Sequence, residues 1–276
     1  MSEVENRTQE NKPAAPEPMK AWSKVLAVTS GKGGVGKTFV SANLAAALAK
    51  RGLRVLVLDA DLGLANLDVV LNLYPKITLH DVFTGKAKLD EAILQAPGGF
   101  SVLLAGSGLV EYSRLTPEVR DDFLRIVEGL VPRFDIILLD TGAGISDVVL
   151  FAVSLASEVL LVATPEPTAL TDAYATIKVL ATQQKRNDIR IVINQAARQG
   201  DGKAITAQLQ QVFDRFVKTA PEQTLRLIHM GDIPADPAVR QAVMRRQLLA
   251  QSSPGAPAAL AIAQLATGVA DAVVRR

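Results

Sequence analysis

The chain has 276 residues, 49% of them hydrophobic but only 4% aromatic, with a formal net charge of +2 and no cysteine. That length suits one large α/β domain with an aliphatic core, the kind that buried parallel strands and their covering helices make. The small net charge gives no field for nucleic acid or an acidic partner, and the lack of cysteine excludes Cys-ligated clusters and thiolate zinc sites.

Residues 1–21 are polar and carry Pro13, Pro16 and Pro18, so a disordered tail is expected there, with the domain over 22–276. Trp22 is expected to pack beside the first strand. No apolar run is long enough to span a bilayer and no signal peptide is evident, so a cytoplasmic protein is expected.

Lys24 to Thr29 reads as a buried strand and Phe39 to Lys50 as a helix, with Val40, Leu44, Ala47 and Leu48 at helical spacing. Between them lies Ser30-Gly31-Lys32-Gly33-Gly34-Val35-Gly36-Lys37-Thr38, in which Gly31, Gly36, Lys37 and Thr38 fit the Walker A pattern. Glycines remove Cβ atoms, so successive backbone N–H groups can turn inward and cradle phosphates. The positive end of the following helix adds to the attraction. Gly31 through Phe39 are therefore candidate nucleotide contacts. Lys37 is expected to reach the β- and γ-phosphates, and the Thr38 hydroxyl to hold Mg²⁺. An idle glycine-rich turn is the competing reading, and the flanking strand and helix weigh against it.

Arg54 to Asp59 is a second apolar strand, and Asp59 and Asp61 sit at its carboxyl end, where open α/β sheets bind ligands. A helix-capping turn is the competing reading of the two carboxylates, and the glycine loop upstream weighs against it. Leu79–Phe83 and Leu89–Leu94 read as short helices, Phe100–Leu104 as a strand, and Pro117 after Thr116 as the start of a helix to about Leu130. Phe134 to Asp140 is an apolar strand ending in a carboxylate, the Walker B pattern, with Asp140 expected to hold Mg²⁺ through water. The glycine-bearing Thr141–Ser146 can donate a backbone N–H beside a γ-phosphate and move when that phosphate leaves.

Glu158–Ala163 is the next strand, followed by Thr164-Pro165-Glu166-Pro167-Thr168 and a helix to about Gln183. Ile189–Ile193 is a strand ending at Asn194-Gln195, Lys203–Phe216 an amphipathic helix, and Leu225–His229 a strand. Gly231–Asp236 is expected as a loop. Ala238–Leu249 reads as a helix whose Arg240, Arg245 and Arg246 form a solvated basic face, and Ala256–Val274 as an Ala-rich closing helix. His80 and His229 read as isolated structural residues. Strands alternating with helices, with acidic strand ends, give a doubly wound, mostly parallel α/β sheet with helices on both faces.

Lys32, directly after Gly31, resembles the second lysine of the deviant Walker A loop of the MinD/ParA ATPases. The resemblance implies ATP and Mg²⁺ as ligands. It also implies a homodimer in the ATP-bound state, with Lys32 crossing to the partner's phosphates beside Lys37. It implies that Asp61 orients the attacking water, and that Asp59 supports Mg²⁺ with Thr38 and Asp140. Asn194 would read the adenine edge, and Pro234, Ala235 and Asp236 would flank the base through their backbone. Thr164–Thr168 followed by Thr171-Asp172-Ala173-Tyr174 resembles the flagellar-number branch of that family, FlhG or FleN, as do Asp140–Ser146 and Asp59–Asp68. That implies a slow, dimerisation-coupled ATPase acting as a switch over flagellar number and placement. The implied partner is a flagellar transcription regulator, a basal-body component or a flagellar GTPase.

Two departures from the branch stand out. Residues 1–20 lack the Gln-containing helix with which many members stimulate a GTPase. Residues 256–274 lack the bulky apolar and basic residues of a membrane-binding helix. Membrane association is thus in question, and DNA is not an expected partner. A partition ATPase of the ParA type using non-specific DNA, and a septum-site ATPase of the MinD type, remain open alternatives.

Overall fold

Eight strands share one sheet in the order β3-β4-β2-β5-β1-β6-β7-β8, all neighbours parallel except β3, which runs antiparallel to β4. The structure is a computed structural model that describes residues 24–62, 66–106, 115–198, 200–218 and 222–274. The expected tail, Trp22 and Gly63–Ala65 of the acidic segment lie outside the described residues.

The first half runs β1 (Val25–Ser30), α1 (Lys37–Ala49), β2 (Val55–Ala60), α2 (Leu67–Leu71), α3 (Leu79–Phe83), α4 (Leu89–Ala92), β3 (Ile93–Gln95) and β4 (Ser101–Leu103). Then come α5 (Pro117–Leu130), β5 (Ile136–Ala143), α6 (Asp147–Ser154), β6 (Glu158–Ala163), α7 (Pro167–Gln183) and β7 (Asp188–Ala196). The chain closes with α8 (Asp201–Phe216), β8 (Arg226–Pro234), α9 (Pro237–Met244), α10 (Leu249–Ser252), α11 (Pro257–Val269) and a π-turn at Ala270–Val274.

Side chains alternate across a strand, so each central strand feeds two cores. Val25 and Ala27 of β1 join a core with residues of α5, α6 and α7, while Leu26 and Val28 join one with residues of α1 and α11. Burial on both faces explains why β1 and β2 read as unbroken apolar runs. β1 lies between β5 and β6 at the middle of the sheet, with β2 beyond one and β7 beyond the other. The chain winds outward in opposite directions from this point. The crevice at the carboxyl end of β1 is therefore where a ligand fits an open sheet.

Several boundaries differ from the sequence reading. α1 starts at Lys37, two residues before Phe39, because Gly36 takes φ 90° and turns the loop straight into the helix. Leu89–Leu94 is not all helix: β-branched Ile93 is extended, and Ile93–Gln95 becomes an edge strand returning through Gly98 and Gly99, both at positive φ. Gly231–Pro234 is strand rather than loop. A bulge at Met230 is followed by Gly231, φ 144°, where β8 resumes its pairing with β7. Ala238–Leu249 is broken after Met244, where Arg246 takes φ 53°. α11 packs on α1 and β8 as a closing helix. No helix among the described residues is long and apolar enough to cross a membrane.

The loop after β1 is docked on the first turns of α7. A Cβ on Gly31 would stand 2.3 Å from the carbonyl carbon and oxygen of Asp172 and 2.6 Å from the Ala173 nitrogen. Backbone atoms cannot swing aside as a side chain can, so Gly31→Ala must separate the loop from α7. The substitution is expected to cost about 1–3 kcal/mol of stability, read as a lower urea midpoint with unchanged slope. A midpoint equal to the native one would contradict this docking.

Candidate nucleotide site

Asp59, next to last in β2, and Asp140 of β5 are directly paired across the parallel ladder. Register alone thus sets two carboxylates side by side at the floor of the crevice, 1% and 2% exposed. Lys37, the first residue of α1, places its ammonium 3.6 Å from Asp140 Oδ1. The Ser41 hydroxyl donates to the same oxygen at 2.9 Å. Lys37 and Ser41 are four residues apart, hence on one helix face. Helical spacing from Lys37 could have signalled Ser41, which the motif does not include.

Asp59 Oδ1 accepts the Asp61 N–H at 3.2 Å, while its Oδ2 is buried with no hydrogen-bond partner among the described residues. Burial, and after it the Asp140 charge, holds the Asp59 carboxyl well above the usual carboxylate value. Burial raises Asp140 too, with Lys37, Thr38 and Ser41 pulling it back. A carboxyl whose pKa rises on folding weakens the fold as pH climbs from its unfolded value, about 3.9, through the raised value. The cost is complete above that window and absent below it. A partnerless buried carboxyl oxygen beside a second carboxylate suits a hard cation such as Mg²⁺.

Above this floor lies a cavity of about 590 Å³, lined among others by Gly33, Gly34, Gly36, Lys37, Thr38, Phe39 and Asp61. Gly34 and Gly36 have φ of 81° and 90°, as a loop with inward-turned amides requires. Asp61 sits beside Gly142: a Cβ there would lie 3.4 Å from Asp61 Oδ1. The Gly144 N–H donates to the Ser30 carbonyl at 2.8 Å, tying the loop after β5 to the end of β1.

A second cavity of about 410 Å³ shares Gly36, Phe39 and Val243 with the first. It is lined by Asn194, Gln195, Pro234, Ala235 and Asp236, with Val239, Arg240 and Met244 of α9. The two together join a glycine-lined end holding Lys37 to an end lined by Phe39, Val239, Val243 and Met244, a shape that suits a nucleotide. One Asn194 amide N–H donates to the Val35 carbonyl at 2.8 Å, so this residue braces the loop as well as lining the cavity. Gly36 also needs its bare Cα here, since a Cβ would fall 2.4 Å from Asn194 Nδ2. The Asp236 carboxylate caps α9 through the Ala238 N–H at 2.8 Å and takes the Ala258 N–H of α11 at 3.1 Å.

Three residues of the motif do not line either cavity. Gly31 is pressed on α7, Val35 is buried, and Lys32 turns away to Glu166 and Thr168. Arg240, Val243 and Met244 line the second cavity but belong to no motif, which is why the sequence did not single them out for this site.

Comparison with known proteins agrees with this geometry. Residues 26–249 match the model of the CobQ/CobB/MinD/ParA nucleotide binding domain. The chain belongs to that family. Among its relatives, the antiactivator FleN of Pseudomonas aeruginosa is 43% identical over 246 residues, 89% of this chain and 86% of FleN. The flagellum site-determining protein YlxH of Helicobacter pylori is 35% identical, covering 85% of this chain and 78% of YlxH. Among solved structures, the cell division ATPase MinD of Pyrococcus furiosus superposes with a TM-score of 0.72 at 30% identity, over 90% of this chain and 99% of that one. MinD of Pyrococcus horikoshii, solved with Mg-ADP, gives 0.71 at 29% identity, over 89% and 95%. The chain is thus a P-loop NTPase of the MinD/ParA fold, as its sheet and loop indicated.

Lys37 is a buried cation, and no other lysine lines the larger cavity. Lys37→Ala is expected to weaken ATP binding by at least a hundredfold in calorimetric titration, since charged hydrogen bonds to phosphate are lost. Native affinity in a folded Lys37→Ala protein would remove the loop from the phosphate site.

Proposed function

We propose that the chain is an ATP hydrolase that pairs on Mg·ATP and serves as a nucleotide-dependent switch over flagellar number and placement. The observation that carries the chemistry is the juxtaposition of Lys37, Asp140 and the partnerless Asp59 under a glycine-turned loop. The process comes from the two relatives with flagellar names, FleN and YlxH. The name of FleN, an antiactivator, favours a flagellar transcription regulator as partner over a basal-body component.

The residues divide the work. The N–H groups of Gly33 to Thr38 take the phosphate oxygens, and Lys37 counters the charge that grows on them. Thr38, Asp59 and Asp140 are the groups that would hold Mg²⁺, which when bound draws charge from the phosphate oxygens. Asp61, beside Gly142 at the cavity wall, orients the attacking water. The glycine-bearing loop after β5 senses the γ-phosphate through its N–H groups. Lys32 reaches the neighbouring subunit's phosphates in the pair, and Asn194 with Pro234–Asp236 receives the adenine.

Asp61 adds little to phosphate binding, so Asp61→Ala is expected to keep ATP affinity within about threefold while phosphate release falls at least a hundredfold. Calorimetry and a phosphate-release assay on one preparation check both. Native turnover in Asp61→Ala would place the water-orienting group elsewhere, and lost affinity would make Asp61 a binding residue.

A further inference from the structure

β7 alternates as a strand must until its last residues. Ile189, Ile191 and Ile193 enter the core shared with α7 and α8, while Val192 enters the core on the opposite face. Regular alternation would send Gln195 into the first core, but Ala196 goes there instead. The ladder gives the reason. Asn194 pairs with Ile233 and Ala196 with the next residue, Pro234, so Gln195 is an extra residue that faces no partner on β8. Such bulges gather beside functional sites, where they re-aim a side chain.

Gln195 takes φ 58°. Among the described residues, three other non-glycines have positive φ: Asn72, Lys185 and Arg246. Each stands at or just after the end of a helix, where a left-handed residue is ordinary. Gln195 alone adopts it within a strand, where the backbone is strained. The result is that two consecutive residues, Asn194 and Gln195, line the second cavity together.

Four side chains with polar ends line that cavity: Asn194, Gln195, Asp236 and Arg240. Asn194 spends an amide N–H on the Val35 carbonyl, and Asp236 has both oxygens engaged by the N–H groups of Ala238 and Ala258. Arg240 can only donate. Gln195 is exposed and makes no hydrogen bond to any described residue, so its amide offers both a donor and an acceptor in one plane. Adenine presents an amino donor beside a ring-nitrogen acceptor, which a glutamine amide matches in both contacts. Guanine has an oxygen in place of that amine, and one of the two contacts is lost.

We propose that Gln195 is a specificity-determining residue for the base, and that the strained bulge in β7 is what presents it. This rests on the reading above that the second cavity receives adenine. It adds to Asn194 a neighbour whose amide is wholly free for the base.

Calorimetric titration with ATP, GTP and purine riboside triphosphate, which lacks the 6-amino group, reads the base preference. Native protein is expected to bind ATP at least about tenfold more tightly than either. Gln195→Met keeps the bulk and the backbone strain but has no amide, and it is expected to shrink that preference about fivefold or more. Gln195→Gly removes amide and strain together. It is expected to lose the same preference yet to melt about 2–4 °C above native without nucleotide, a pairing of signs that a purely structural residue would not give. If native protein does not distinguish the three nucleotides, the placement of adenine fails and this proposal with it. If native protein distinguishes them and Gln195→Met does so equally, the proposal fails while the placement stands. A Gln195→Gly protein no more stable than native overturns the strain in the bulge.

Discussion

The site depends on two carboxylates that the sheet forces together. Parallel pairing of β2 with β5 puts Asp59 opposite Asp140 in the interior, where neither charge is welcome. Lys37, Thr38 and Ser41 answer Asp140, but Asp59 keeps an oxygen that no described group satisfies. A fold selected for stability alone would place an apolar or amide side chain there. The rest of the crevice follows from this arrangement: α1 must start close enough for Lys37 to reach down, and Gly36 must turn the loop directly into it.

The loop is consequently held from several sides. α7 meets it at Gly31, Asn194 takes the Val35 carbonyl and closes on Gly36, and the loop after β5 is tied to Ser30. Each brace comes from a different part of the fold, so the loop's shape is set without a ligand. Under the proposed function, such prior ordering would spare binding the cost of reorganising the loop. Lys32 alone among the loop's charged groups points out of this framework, toward Glu166 and Thr168.

Much of this was legible in the amino-acid order. Apolar runs ending in Asp59 and Asp140 announce buried parallel strands with ligands at their ends, and the glycine spacing announces the loop. These are local signals, in which chemistry and conformation are written within ten residues. What escaped reading is long-range. Asn194 spends an amide N–H on a carbonyl 159 residues away, and Lys32 meets an acid 134 residues away. Neither pairing leaves a mark in local pattern. The misplaced boundaries have local causes of another kind. The family resemblance makes Gly231 part of a loop, but here it follows a bulge within β8. Ile93 sits in a helical pattern that the edge of the sheet overrides.

The central claim is that the Asp59–Asp140 floor is the metal end of a phosphate site, strained in the empty protein and relieved by Mg·ATP. Thermal unfolding of native protein and Asp59→Asn, each with and without saturating Mg·ATP, tests it most directly. At neutral pH without nucleotide, the amide variant is predicted to melt about 2–4 °C above native, because it removes a buried carboxyl whose raised pKa costs stability there. With Mg·ATP at about a hundredfold over the dissociation constant, native protein gains about 2.7 kcal/mol, and the variant gains far less. Equal midpoints in the empty proteins, with equal gains on Mg·ATP, would contradict the claim.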